Sequence, residues 1–507
     1  MDEINELLYV LTKYKVRQVN VITNKEGGVL SENESSFRSF YQDITDGKLI
    51  STQDLEAWIG ADASSKKFRR FLNDFKKRLY NTLLFIDVNL PLFTDSQRAY
   101  YMCWQQLAVL ETLISRGLIN NAFEMAKRLE KAAKKFEFTE IELRAVLFLR
   151  RYYALYKPLE KKFQQYCSRL KQLKQIRDAE IDVQEYFYHL QLINSTWKSK
   201  NQLISQKAKN FIERLMPLSE EVDTVFFQVP FWYIRVMERM SVHDWKETVV
   251  FCQKGIDFLD KKKHVSNQLY VGFLHQQAAA YLMLHEFENA KLVAEDSINK
   301  AVTGSRNWFK GKEILLSVLL HKGDYGTAWM LYKKTTRHKQ FSPHGERFKE
   351  PWKVSHAYLA LINALGLIQL SPREKGALKK FRLSRFLNDL PSFSKDKRGM
   401  NIPILIVQVL FLLNERKFDA LEDRLEALRK YRSRHLSEEK EAFRTDCFIR
   451  MLHLMIKGDF ERSKVEAKAA PLLKRMLSVP HNLANQAHEI EVIPYERQWS
   501  WVLKMLD

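Results

Sequence analysis

The chain has 507 residues, 46% of them hydrophobic, enough for several domains or one long repeat array with a real core. Gly (16) and Pro (12) each occur at about half their usual frequency, which argues for long helices and short loops and against a sheet-rich or disordered chain. The net charge of +21, from 82 Lys and Arg against 61 Asp and Glu, suits either a polyanionic partner (nucleic acid, a ribosome, an anionic membrane surface, an acidic protein) or a solvated basic surface.

The opening residues, MDEINELLYVLTKYK, lack the basic start and apolar core of a signal peptide. Val16 to Ile22 alternates in polarity and precedes the turn signal Glu26-Gly27-Gly28, so a short hairpin is expected there. Residues 35–87 predict three helices. Phe37, Phe40 and Tyr41 share a face of the first. Ser51 and Asp54 form a capping box that opens the second, Gln53 to Ile59. After a polar break, Gly60 to Ser65, the third carries Phe68, Phe71, Leu72, Phe75, Leu79 and Leu83 as one apolar stripe. Its other face is basic.

Tyr100 to Arg116 and Asn120 to Phe136 then predict a helix pair joined near Gly117. Residues 139–196 predict long helices interrupted at Pro158 and near Asp178. Between 225 and 475 the pattern repeats: an apolar helix, a short polar turn with an aromatic, and a second helix with small residues. One amphipathic helix cannot bury its stripe alone, so such pairs must stack. Ser371 to Met400 carries nine basic residues (Arg373, Lys375, Lys379, Lys380, Arg382, Arg385, Lys395, Lys397, Arg398) against three acidic ones, and reads as a basic helix with an exposed loop. Ile402 to Leu413 is too short to span a membrane, which takes about 20 apolar residues, and reads as a buried helix.

The repeat segments resemble the tetratricopeptide family. There, an aromatic follows the turn and a small residue three positions later lets the helices approach. Ala278-x-x-Tyr281-Leu282-x-Leu284-His285-Glu286-Phe287-Glu288-Asn289-Ala290-x-x-x-Ala294 carries this pattern. So do Leu319-Leu320-x-x-Gly323-Asp324-Tyr325-x-x-Ala328-x-x-x-Tyr332 and Leu454-x-x-x-Gly458-Asp459-Phe460-x-x-Ser463-x-x-x-Ala467. Asp244-Trp245-x-x-Thr248 and Lys417-Phe418-x-x-Leu421 are weaker copies. Phe287 to Tyr325 spans 38 residues, and Trp245 to Phe287 and Phe418 to Phe460 span 42 each. The family period is about 34, so longer helices or loops are expected. The resemblance implies an all-α fold, a right-handed α-α solenoid of helix pairs, with Trp245, Tyr281, Phe287, Ala290, Tyr325, Ala328, Phe418 and Phe460 in packing roles. It also implies a groove for a protein or peptide.

Ile50-Ser51-x-x-Asp54-Leu55-x-x-Trp58-Ile59 followed by Lys66-Lys67-Phe68-Arg69-Arg70-Phe71-Leu72 is similar to the helix-turn-helix of winged-helix domains that precede helical repeats in some bacterial transcriptional activators. That likeness implies DNA contact through the seven basic residues Lys66, Lys67, Arg69, Arg70, Lys76, Lys77 and Arg78. A solvated face on a capping helix explains the same charges.

Lys379, Lys380, Arg382, Arg385, Lys397 and Arg398 form a second candidate polyanion site, with Phe381, Phe386 and Phe393 interleaved. Aromatics stack on bases, and helical spacing also suits core packing. Cys103, Cys167, Cys252 and Cys447 lie too far apart for a zinc or disulfide framework and read as free thiols in a reducing cytoplasm. His285-Glu286 and His488-Glu489 lack a second ligand at helical spacing, and no metal site is expected. Gly304 to Lys312 lacks the spacing and the Ser or Thr of a phosphate loop, so no cofactor is expected. No nucleophile turn of the G-x-S-x-G type occurs.

The expected organisation is an N-terminal module at 1–95, long helix pairs at 96–215, repeats at 216–340, an irregular pair with the basic insertion at 341–400, and repeats with a cap at 401–507. The expected function is a cytoplasmic, bacterial scaffold or adaptor that binds a protein or peptide rather than an enzyme. The alternative is a DNA-binding regulator whose repeats act as a sensor, with nucleic acid or another polyanion as partner.

Overall fold

A computed structural model describes residues 4, 7, 8, 11, 32–46, 48, 49, 51–83, 86, 88, 93–196, 201–389, 401–435, 443–479 and 491–507. The hairpin expected around Val16 to Gly28 lies outside them. Every regular element among the described residues is a helix. None of these helices is long and apolar enough to cross a membrane. Chain contacts divide the protein into two compact units, Met1–Arg177 and Asp178–Asp507.

The first unit contains α1 (Glu32–Thr45), α2 (Thr52–Ile59), α3 (Lys66–Leu83), α4 (Asp95–Ser115), α5 (Ile119–Phe136), α6 (Thr139–Leu155) and the start of α7 (Glu160–Thr196). The α2 cap forms as the sequence dictates. Asp54 N–H donates to Ser51 Oγ at 3.2 Å, and Ser51 N–H donates to Asp54 Oδ2 at 2.7 Å. The apolar stripe of α3 packs on α1 and α2: Phe71 stacks on Phe37 at 4.7 Å, and Phe75 meets Phe40 edge-on at 4.8 Å. Small residues Ala122, Ala126 and Ala133 let α5 lie close to its neighbours α4 and α6. The break expected near Asp178 is absent, and α7 runs straight through that position. Its 37 residues contain neither Gly nor Pro, so nothing there withholds a main-chain donor or favours a left-handed residue.

The second unit continues with α8 (Asn201–Glu221), α9 (Val225–Ser241), α10 (Trp245–Asp260), α11 (Asn267–Met283), α12 (Phe287–Lys300), α13 (Arg306–Lys322), α14 (Tyr325–Thr336) and α15 (Glu346–Ala364). Two short helices follow, α16 (Pro372–Lys379) and α17 (Leu383–Asn388). They replace the single basic helix expected there, because the chain turns at Lys380 to bury Phe381 and Phe386 against the core. Then come α18 (Asn401–Asn414), α19 (Phe418–His435), α20 (Phe443–Lys457), α21 (Arg462–Leu477) and α22 (Tyr495–Met505). Helices adjacent in sequence are adjacent in space from α8 to α16, and α9 also touches α11, which touches α13. The apolar run of α18 is buried along nearly its whole length.

One joint recurs between paired helices. At His243, His285, Gly323 and Arg416 the chain enters the left-handed region, and the next helix begins two residues later. The N–H of the intervening residue bonds back to a carbonyl five residues earlier: Asp244 to Arg239, Glu286 to Tyr281, Asp324 to Leu319, Lys417 to Leu412. These are Schellman endings, which satisfy carbonyls that a helix terminus leaves open. Gly117 and Glu137 make the same joint in the first unit. In the second unit the joint sets Trp245, Phe287, Tyr325 and Phe418 as first residues of their helices, all packed against one core with Tyr281. Three residues on, Thr248, Ala290, Ala328 and Leu421 are fully enclosed. The copy at Phe460 differs. Asp459 and Phe460 both adopt positive φ, α21 starts at Arg462, and the buried residues are Val465 and Ala469 in place of Ser463 and Ala467.

Candidate ligand groove

The second unit contains a groove of about 400 Å³. Its walls come mainly from the first helix of each pair, with the later part of α7 and the start of α8 at one side. Each helix contributes one face at helical spacing. Tyr233, Met237 and Met240 come from α9; His275, Ala279 and Leu282 from α11; Lys310, Ile314, Ser317 and His321 from α13; Pro351, Trp352 and Ser355 from α15. The second helices stand behind, apart from Trp245 at the head of α10.

A returning segment, Glu491 and Val492, also lines the groove. His321 Nε2 lies 2.8 Å from the Glu491 carbonyl, and Arg497 donates to the Leu320 carbonyl and to Tyr325 Oη at 3.3 and 3.2 Å. These contacts join residues about 170 positions apart. A buried ion pair fixes the segment from behind. Arg444 Nε and Nη2 donate to the two carboxylate oxygens of Glu491 at 2.6 and 3.1 Å, and Nη2 also donates to Glu496 at 2.7 Å. Burial alone would lower the Arg444 pKa, but the two carboxylates outweigh it and hold the guanidinium firmly charged.

Most polar groups on the walls are satisfied. Lys310 pairs with Glu313 at 2.9 Å, Ser317 donates to the Glu313 carbonyl, and Ser355 donates to the Pro351 carbonyl. Two are not. Trp352 is 1% exposed and His275 8%, yet the indole Nε1–H and the imidazole Nε2 have no hydrogen-bond partner. Burial, aided by the charge of Lys310, pushes the His275 pKa down to about 4, so the ring is neutral at ordinary pH. An unpaired buried donor costs about 1–3 kcal/mol; both residues line the groove, but each of these nitrogens is itself shut off from its space. Close helix approach here depends on small residues: a Cβ on Gly311 would lie 2.9 Å from Ser297 Oγ, and one on Gly272 would overlap the Tyr233 hydroxyl.

No family model, curated protein or solved structure aligns with this chain.

The basic residues singled out from the sequence lie elsewhere. On α3, Lys66, Lys67, Arg69, Arg70 and Lys77 are exposed. Lys66, Arg69, Arg70 and Lys77 make no ion pair among the described residues, and Lys67 reaches only the Gly60 carbonyl at 3.4 Å. Lys76 and Arg78 are half-buried, and the Arg78 guanidinium lies 4.3 Å over the Phe37 ring. Thus five of the seven cations share an open face, while Arg78 belongs to the module's packing.

In the second unit, Lys379, Lys380, Arg382 and Arg385 are exposed around α16 and α17, whereas Lys397, Arg398 and Phe393 lie outside the described residues. Phe381 stacks on Phe411 at 5.3 Å and Phe386 is buried, so neither ring offers a platform for a base. The four cysteines are free thiols, with Cys167 alone partly exposed. His285 sits in the joint before α12, and His488 lies outside the described residues. The groove lining and the Arg444 pair have no short-range signature: His275, Trp352 and Glu491 are brought together across more than 200 positions.

Proposed function

We propose that this chain is a helical-repeat binding protein of the tetratricopeptide kind, a right-handed stack of helix pairs that holds a protein or peptide partner in the groove of its second unit. Binding is stoichiometric, and the groove is preformed. The observation that carries this reading is the lining: α9, α11, α13 and α15 each present one face at helical spacing to a single groove, with apolar side chains around a few polar ones. Sites of this size and composition, about 300–1,000 Å³ with a few convergent polar groups, are the usual form of a ligand pocket. Four free thiols suit a reducing cytoplasm.

The test is affinity capture from nuclease-treated lysate, with the wild-type chain beside an Ala279→Trp variant that fills the groove. A defined protein partner retained by wild type and lost by the variant supports the reading. Equal retention by both, or recovery of nucleic acid alone, overturns it.

A second reading has its own support. The open face of α3 carries Lys66, Arg69, Arg70 and Lys77 without acidic partners, which favours contact with a nucleic-acid backbone. Duplex DNA would then bind with an affinity that falls with salt at a log–log slope of about −3 to −5, as four or five phosphate contacts dictate. Reversing Lys66, Lys67, Arg69 and Arg70 to Glu should abolish that binding. Unchanged DNA affinity in the folded variant refutes this reading and leaves the groove reading intact.

A further inference from the structure

We infer that the first unit docks on an anionic lipid surface through the end where the α4–α5 and α6–α7 joints meet, with Leu118, Leu155, Tyr156 and Leu159 entering the headgroup region between flanking cations. The inference is independent of the groove, which belongs to the second unit.

The chain assembles this end from separate positions. Helices α4, α5 and α6 pack in turn and are joined by two or three residues, so the chain reverses at each joint and alternate joints share an end. Phe123, near the start of α5, stacks on Tyr152, near the end of α6, at 4.2 Å, and Tyr152 stacks on Tyr156 at 6.0 Å. The joints at 116–118 and 156–159 are therefore neighbours. Leu118, Leu155, Tyr156 and Leu159 are 46–68% exposed there. A lone exposed Leu is ordinary. Four large apolar side chains at one end, bordered by charge, mark a protein or membrane contact. They sit across helix ends instead of along one helix face, which suits a lipid interface better than a docked helix.

Charge selects an anionic surface. Residues 150–162 hold Arg150, Arg151, Lys157, Lys161 and Lys162 against one acid, Glu160. Arg116 stands at the other joint, with Glu111 and Glu124 within two turns along α4 and α5. None of the six cations makes an ion pair among the described residues, and Arg116, Arg151, Lys157 and Lys161 are exposed.

Two features favour lipid over nucleic acid. The Leu side chains cannot stack on bases as aromatic rings do, whereas acyl chains accept them, and Tyr156 has the apolar ring and polar tip suited to a membrane interface. The main chain of the corner is also closed. The N–H groups of Tyr156 and Lys157 donate to the Tyr152 carbonyl at 2.9 and 3.1 Å, and that of Leu159 donates to the Tyr153 carbonyl at 3.1 Å. Pro158 has no N–H to offer. The corner can thus enter a less polar medium without stranding a main-chain donor, which would be costly there, and it leaves none of these donors for a phosphate oxygen.

The probe is a vesicle of phosphatidylcholine, alone or with about one third phosphatidylserine, floated with the full-length protein. Wild type should bind the anionic vesicles, more weakly as salt rises, and bind the neutral ones far less. Leu155→Ala and Leu159→Ala leave the charge unchanged. Each should weaken binding by about 4- to 60-fold, according to whether one or all three deleted carbons reach the acyl region. Arg151→Gln with Lys157→Gln should weaken it by about 25-fold, fivefold per cation. Leu118→Ala, on the other joint, serves if either Leu variant does not fold.

A chain of net charge +21 can adhere to anionic vesicles through any basic face, so the uncharged variants decide. Anionic-vesicle binding that the folded Leu variants retain at full strength overturns the inference, as does the absence of such binding by wild type. Single-stranded RNA that binds wild type, is lost with Arg151→Gln and Lys157→Gln and is kept by the Leu variants assigns this end to nucleic acid and overturns it too.

Discussion

Arg444→Met removes a buried cation and keeps most of its volume. The Arg444 side chain is 7% exposed and that of Glu491 6%. The substitution deletes two bonds to Glu491, one to Glu496 and those to the carbonyls of Met476 and Val479 at 3.2 and 3.0 Å. It leaves the Glu491 carboxylate enclosed without its countercharge. Breaking a buried pair from one side costs about 3–5 kcal/mol. Removing both charges, in Arg444→Met with Glu491→Leu, should cost much less. What remains is mainly the Tyr495 N–H, which donates to Glu491 Oε2 at 3.0 Å and would lose that acceptor, at about 1–3 kcal/mol. Denaturant unfolding followed by tryptophan fluorescence measures this, since eight of the ten tryptophans lie beyond Arg177. A single variant that loses under about 1 kcal/mol, or a double variant that loses as much as the two singles added, refutes the assignment of this pair as a buried structural clamp. Because Glu491 lines the groove, Arg444→Met should also weaken a groove ligand.

Two further outcomes follow from the joints and the buried histidines. Arg416 holds φ at +53° without a glycine's freedom, so Arg416→Gly should stabilise the second unit by about 0.5–1 kcal/mol, seen as a higher unfolding midpoint; a lower midpoint contradicts the strain argument. His275 and His356 are pushed by burial to about 4, His275 with help from Lys310, against an ordinary value of 6.5. Between those values the unfolded chain binds more protons than the folded one, so stability is complete above pH 6.5 and falls as pH drops. The loss at pH 5 is about 2 kcal/mol for each histidine. Unfolding midpoints measured from pH 8 to 5 should decline, with His243, His344 and His453, also held low, adding to the fall, and His356→Phe should reduce the decline; a flat profile counts against buried neutral rings.

Local features were legible in the sequence because their causes are local. Ser51 and Asp54 cap α2 through groups three residues apart, and the stripe from Phe68 to Leu79 needs only helical spacing to find a face. The aromatic at the head of α10, α12, α14 and α19 was likewise visible, since the joint before it has a fixed length. Phe460 shows the limit: left-handed residues at both Asp459 and Phe460 move the start of α21 by two positions, and the buried positions move with it. Asp178 misled because an acidic, polar stretch resembles a turn, while uninterrupted helix formers decide the backbone. The open cations of α3 were readable from spacing, but the placement of Arg78 over Phe37 depends on a ring some forty residues away. The groove was not legible. A missing hydrogen bond at Trp352 or His275 is a property of everything around those side chains, and no residue pattern encodes it.

The recurring joint has a consequence for how such a chain can change. Its hydrogen bonds run between main-chain groups, and its left-handed position is filled here by His, Gly, Arg and Glu alike. A substitution there shifts stability by about 1 kcal/mol, which a large core absorbs. An inserted residue is different, because it turns every later side chain by about 100° around the helix axis and would swing the next packing face away from its neighbour. The joints count residues and scarcely read them. Drift at these sites should therefore conserve length while erasing identity, and the shared architecture of the pairs persists in torsion angles after it has faded from the letters.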